Sequence, residues 1–164
     1  ATLLGLIRHH GVDPHHFLAK THNFENLSSM LITAPALADT LKQLPGRRII
    51  FSNAPKTYTH EVLRLTGLTP LFDAIYTVES FGFQPKPLRS GFQKLLRKER
   101  IQPGQAIMIE DSLPNLVMAK RLGMHTLWVT RSLRNSPWVD HKLRSIINLR
   151  HLVGWSQRAT CGAK

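Results

Sequence analysis

The chain has 164 residues, 42% hydrophobic and 20% charged, the composition of a globular protein with a sizeable core and not of a disordered one. Twenty-two Lys and Arg against ten Asp and Glu give a formal charge of +12, which attracts anionic partners: nucleic acid, acidic lipid or a small phosphate-bearing molecule. One cysteine, Cys161, excludes an intrachain disulfide scaffold and fits a reducing, cytoplasmic setting; no apolar run has the length of a membrane span, and the first residues lack the pattern of a secretory signal.

Residues 1–45 read as helical. Asp13 followed by Pro14 is a helix start, because an Asp side chain caps exposed amides and Pro fits the first turn. "HHFLAKTHNF" continues that helix, and "APALADTLKQL" predicts another, ended by Pro45-Gly46. No strand signal precedes residue 47. The rhythm then changes: "RRIIFSN" (47–53), "AIYTV" (74–78), "AIMI" (106–109) and "TLWV" (126–129) are short strand-like runs. Helical patterns in "KTYTHEVLRLTG", "SGFQKLLRKER" and "LPNLVMAKRLG" separate them, and Ile146-Ile147 predicts a last, marginal strand. Such alternation implies βαβ crossovers and a parallel sheet with helices on its faces. The expected fold class is therefore α/β, with a Rossmann-like sheet over residues 46–155, a helical cap portion over 1–45 and a basic tail over 156–164.

In an open parallel sheet the chemistry lies past the carboxyl ends of the strands. Ser52 and Asn53 end the first strand just before a helix beginning near Pro55. A hydroxyl, backbone amides and a helix N-terminus converge there as an anion site; the plainer reading is that Ser52 caps the helix. Lys86 stands between two prolines in "QPKPL", which hold it in an extended loop where its ammonium can neutralise a phosphate. Its plainer reading is a solvated loop lysine. Glu110 and Asp111 end the third strand, and adjacent carboxylates repel unless a cation offsets them. Hard oxygen ligands with open positions suit Mg²⁺; otherwise Asp111 or Ser112 caps the next helix. Asn115, one turn into that helix, is placed to hydrogen-bond back to the loop and orient the carboxylates. Placed after different strands of one sheet, these groups would meet on one edge. Together they supply what phosphoryl transfer needs: a metal, a fixed cation and hydrogen-bond donors.

With these residues in view, the sequence resembles the haloacid dehalogenase-like (HAD) hydrolase superfamily. "IIFSNA" is similar to its second motif, "QPKP" to the third and "IMIEDSLPN" to the fourth, in the right order over residues 47–130. The helical front resembles part of the family's cap. "FSNA" and the acidic-acidic-Ser-x-x-Asn pattern look closest to pyrimidine 5′-nucleotidase-like members. The resemblance implies that Ser52 hydrogen-bonds phosphoryl oxygens with help from the Asn53 backbone, that Lys86 neutralises the nucleophile and the phosphoenzyme, and that Asp111, supported by Glu110, binds Mg²⁺. It implies hydrolysis of a phosphomonoester, a pyrimidine nucleoside 5′-monophosphate, through a phosphoaspartate. The acidic pair favours the metal-dependent phosphatase branch over the dehalogenases, which carry Ser-Asn there.

One motif of the family has no counterpart. Its first is an Asp-x-Asp at a strand end, and Asp13, Asp39, Asp73, Asp111 and Asp140 include no pair so spaced. The expectation is an incomplete core, a fragment without its nucleophile and inactive alone. Further readings stay open: a HAD-type phosphatase for phosphoglycolate or a sugar phosphate, a non-catalytic HAD-like interaction protein, and a basic RNA-binding module. The last draws on Lys86, Arg89, Lys94, Arg97, Lys98 and Arg100, and on Trp138 and Trp155 as stacking platforms. It lacks any zinc spacing or RNA-recognition aromatic set, so the expected partner is a small phosphorylated metabolite or nucleotide, with neither a membrane nor nucleic acid. His9-His10 and His15-His16 read as a solvated helical face; Met108, Met118, Met124 and Trp128 read as core.

Overall fold

The computed structural model describes residues 2–32 and 34–152. The expected basic tail, Trp155 and Cys161 lie outside the described residues. Two compact units divide the chain, Ala1–Ala34 with Arg47–Lys86 and Pro35–Gly46 with Pro87–Lys164. The fold class is α/β, with every strand pairing among the described residues parallel.

The first unit opens with helices α1 (Thr2–His10), α2 (Pro14–Thr21) and α3 (Leu27–Met30). α2 starts where Asp13 places it: the Asp13 carboxylate accepts from the amides of His15 and His16 at 3.1 and 3.2 Å, and Pro14 fills the first position. Strand β1 (Ile49–Phe51) pairs in parallel with β2 (Ala74–Tyr76) across a crossover that contains helix α5 (Lys56–Leu65). The pairing is extended by one residue at its start, because Arg48 N–H donates to the Asp73 carboxylate at 2.7 Å while Asp73 N–H donates to Arg48 O at 2.8 Å. Leu18, Leu63, Tyr76, Val78 and Phe81 are buried. Phe81 meets Phe51 edge-on and stacks on Tyr76, so an aromatic cluster backs the end of β1 that leads to Ser52.

The second unit holds helix α4 (Pro35–Gln43), helix α6 (Arg89–Glu99), strand β3 (Ile107–Glu110), helix α7 (Leu113–Arg121), strand β4 (His125–Val129) and strand β5 (His141–Leu143). The sheet order is β3-β4-β5. Phe92, Leu116 and Leu127 are fully buried, each burial contributing about 1.5–3 kcal/mol. Met108, Met124 and Trp128 are buried as expected, and Met118 is half-buried.

Two expectations are corrected. The strands form two sheets, β1-β2 and β3-β4-β5, because among the described residues no strand bridges them. Ile146-Ile147 is not a strand; it begins a 3₁₀ turn, Ile146–Leu152, that packs on α4, with Thr40 Oγ1 donating to Ile147 O at 3.3 Å. Among the described residues the last strand lies earlier, at His141–Leu143, delivered to the edge of β4 by Asp140. The Asp140 carboxylate accepts from Thr126 N–H at 2.9 Å, from Thr126 Oγ1 at 3.1 Å and from Lys120 Nζ. No helix among the described residues is long and apolar enough to cross a membrane.

Candidate functional site

In the first unit the loop after β1 is organised amide by amide. Ser52 N–H donates to Tyr76 O at 2.8 Å, continuing the ladder past the strand. Ala54 N–H donates to Ser52 Oγ at 3.0 Å, and Lys56 N–H, the first of α5, donates to both oxygens of Glu79 at 2.9 and 3.1 Å. Pro55 has no N–H. Asn53 N–H is left as the one amide of this loop without a protein acceptor among the described residues, and the Ser52 hydroxyl, which accepts from Ala54, keeps its own proton to donate. Ser52 therefore organises the loop and does not cap α5, whose side-chain cap is Glu79.

Sequence reasoning missed Glu79, because its partner lies 23 residues earlier in the chain. The glutamate sits in the 3₁₀ turn Val78–Phe81 and also accepts from Thr77 Oγ1 at 2.7 Å. Burial pushes its carboxyl up, but the Lys56 amide, the Thr77 hydroxyl and the nearby His15 outweigh that and hold it below the usual carboxylate range. One amide of the helix N-terminus expected to meet an anion is thus already matched by a carboxylate.

Lys86 is buried, at 9% exposure, and is not the solvated loop lysine of the plainer reading. Its ammonium stands 5.0 Å from the centroid of the Phe51 ring. Its main chain is held by the Asn53 side chain: Lys86 N–H donates to Asn53 Oδ1 at 2.7 Å, and Asn53 Nδ2 donates to Lys86 O at 3.1 Å. Donors and cation of the phosphate-type corner are thereby tied together within one unit.

The same unit contains a cleft of about 630 Å³ between the chain after α2 and one side of α5. Tyr58, in the first turn of α5, meets His22 edge-on with centroids 5.4 Å apart and Phe24 at 5.6 Å. Glu61 and Arg64 line the cleft as a bidentate pair.

In the second unit, Glu110 closes β3 opposite Trp128 of β4. One oxygen of Glu110 accepts from Ser112 N–H at 3.2 Å, and the Trp128 indole Nε1–H donates to Asp111 O at 2.8 Å. Asp111 has an exposed side chain, and Ser112, at the N-cap of α7, makes no side-chain capping bond. Asn115 is buried, and its main-chain N–H reaches back to Ser112 O at 3.1 Å. Two hard carboxylates, one exposed and one bracing its own loop, fit the donor chemistry of a hydrated Mg²⁺ held by one or two protein oxygens. No cluster of three or more His, Cys, Asp or Glu fit to hold a metal occurs among the described residues. His9, His10, His15 and His16 are exposed, and His15 meets the Phe83 ring edge-on at 5.0 Å. Trp138, one proposed stacking platform, carries the Arg121 guanidinium over its ring at 5.1 Å.

A sequence profile of haloacid dehalogenase-like hydrolases matches residues 8–123. Validoxylamine A 7′-phosphate phosphatase of Streptomyces hygroscopicus subsp. limoneus is 26% identical over 102 residues, 60% of this chain and 47% of that protein. Pyrophosphatase PpaX of Bacillus pumilus (strain SAFR-032) is 26% identical over 143 residues, 82% of this chain and 66% of that protein. The chain thus spans between about half and two thirds of these relatives. The crystal structure of a HAD phosphatase from Thermococcus onnurineus superposes with a TM-score of 0.66 at 25% identity, covering 93% of this chain and 76% of that one.

Proposed function

The chain belongs to the haloacid dehalogenase-like hydrolase family, and from that premise we propose that it carries the phosphate-binding and metal-binding parts of a phosphomonoesterase. The observation that carries the reading is the corner at Ser52, Asn53 and Lys86. One hydroxyl proton and one amide are left to donate, beside a buried lysine fixed by two hydrogen bonds. In this reading Ser52 Oγ–H and Asn53 N–H hold phosphoryl oxygens, and Lys86 offsets the charge of the attacking carboxylate and of the phosphoryl group. Asp111, with Glu110, would hold Mg²⁺, and Asn115 supports their loop. An ion so held would supply neutralisation of charge on a phosphate. On this reading an aspartate of the family's first motif, which these 164 residues do not contain, attacks phosphorus; the P–O bond to the monoester breaks, its alcohol leaves, and water then hydrolyses the aspartyl-phosphate to inorganic phosphate.

A pyrimidine nucleoside 5′-monophosphate is the proposed substrate. Its support is the "FSNA" and "EDSLPN" pattern together with the ring-lined cleft at Tyr58, which suits a planar leaving group. A second reading, a sugar phosphate or another small phosphomonoester such as phosphoglycolate, is favoured by the relative named for a validoxylamine 7′-phosphate.

The test is to join an Asp-x-Asp strand ahead of the chain and assay release of phosphate from pyrimidine nucleotides, sugar phosphates and phosphoglycolate, with and without Mg²⁺. Activity that requires Mg²⁺ and falls in Lys86→Ala and Asp111→Ala is expected. Undiminished activity in either variant would sink the reading.

A further inference from the structure

Asn53 and Lys86 form a closed hydrogen-bonded ring across 33 positions of sequence. One carboxamide accepts from the N–H and donates to the C=O of the same residue, as a neighbouring strand would. The residue so held lies between Pro85 and Pro87, which have no N–H of their own, so no neighbouring amide competes for Oδ1. The Cα of Lys86 is therefore pinned on both sides. Its flexible stem runs from that point to an ammonium over Phe51, two residues before Asn53. Strand end, clamp and cation form one rigid loop-to-loop unit.

We propose that the Asn53 carboxamide is the positioning element for Lys86: it fixes where the ammonium stands, while the Asn53 main chain stays available to an anion. The inference rests on the phosphatase reading for what Lys86 is positioned to do, and its geometry is independent of that reading. Asn53 acts here through Lys86, so loss of the side chain should leave the lysine present but misplaced. Misplacement of a reacting group by about 1 Å costs on the order of 100-fold in rate. A purely structural tie between two loops would instead lower stability and loosen every lysine of the unit together.

The experiment uses limited acetylation of the 164-residue chain with acetic anhydride, read peptide by peptide by mass spectrometry. Lys42, whose side chain is 62% exposed, serves as the internal reference. Wild-type Lys86 is expected to react about tenfold more slowly than Lys42, and Asn53→Ala to bring it within about threefold, with Lys20 and Lys56 of the same unit unchanged. Asn53→Asp, which keeps the acceptor but loses the donor, is expected between the two. In the form completed by an Asp-x-Asp strand, Asn53→Ala should lower kcat by about 100-fold with KM moving far less. An unchanged Lys86 rate in Asn53→Ala overturns the proposal, as does a uniform rise at all lysines. Full phosphatase activity in Lys86→Ala would overturn the phosphatase reading alone and leave the acetylation result standing.

Discussion

The indole N–H of Trp128 holds the main-chain oxygen of Asp111 at 2.8 Å, from the strand alongside. Trp128 is buried in β4 and cannot swing away, so the turn that exposes the Asp111 side chain is fixed from beneath. Trp128→Phe keeps a ring under the Lys142 ammonium, which stands 5.5 Å from its centroid, and removes only the indole donor. The expected cost in stability is about 1 kcal/mol. On the proposed reading of Asp111 as a metal ligand, the larger effect falls on metal binding, since loss of a group that orients a ligand weakens affinity by about 10- to 100-fold. Titration of the chain with Mn²⁺, followed by electron paramagnetic resonance, checks this. An unchanged Kd would mean that the indole bond does not set the carboxylate.

Asp140 does for β5 what the three residues of that strand cannot do for themselves. His141, Lys142 and Leu143 offer one apolar side chain to the sheet, and their register with Leu127, Trp128 and Val129 follows from the Asp140 carboxylate gripping Thr126. Burial pushes the Asp140 carboxyl up, but the bonds from Lys120 and Thr126 pull it further down, so it is held below the usual range. Asp140→Ala leaves the buried Thr126 hydroxyl with one partner fewer and strips Lys120 of its counter-ion. The expected loss is about 2 kcal/mol. Hydrogen exchange at residues 141–143 should accelerate well before that of β3. Equal protection in the variant would show that β5 is held by something else.

Those two contacts also mark what the sequence makes legible. β1, β3 and β4 announce themselves as apolar runs, and α5, α6 and α7 by their spacing, because burial of one face selects both patterns. The start of α2 is legible in two letters, Asp13-Pro14, since that cap is local. β5 is not: a short, charged edge strand carries almost no hydrophobic signal, and the apolar Ile146-Ile147 draws the expectation to the wrong place. In the candidate site, Ser52, Lys86 and the acidic pair are legible as residue types at strand ends. Their supports are not, because Asn53 to Lys86, Glu79 to Lys56 and Trp128 to Asp111 are contacts between segments 33, 23 and 17 positions apart.

Glu79 gives the pH dependence a definite sign. Its carboxyl lies below the ordinary value of 4.5 because, against the cost of burial, the folded chain offers the ionised form the Lys56 amide and the Thr77 hydroxyl. A carboxyl depressed by folding contributes stability that is fully present above its unfolded value and is lost as pH falls through its folded one. The group is half-exposed, so solvent screens the gain and about 0.5–1 kcal/mol is expected from capping α5. Glu79→Gln keeps the shape, loses the charge and can still accept at one oxygen. Urea unfolding at pH 7 should therefore find the variant less stable by that amount. The gap should close as pH is lowered below the ordinary value of 4.5 and through the lower folded-state one, as the wild-type carboxyl gains its proton. A gap that stays constant, or widens in acid, would show that Glu79 braces the turn Val78–Phe81 by shape and not α5 by charge.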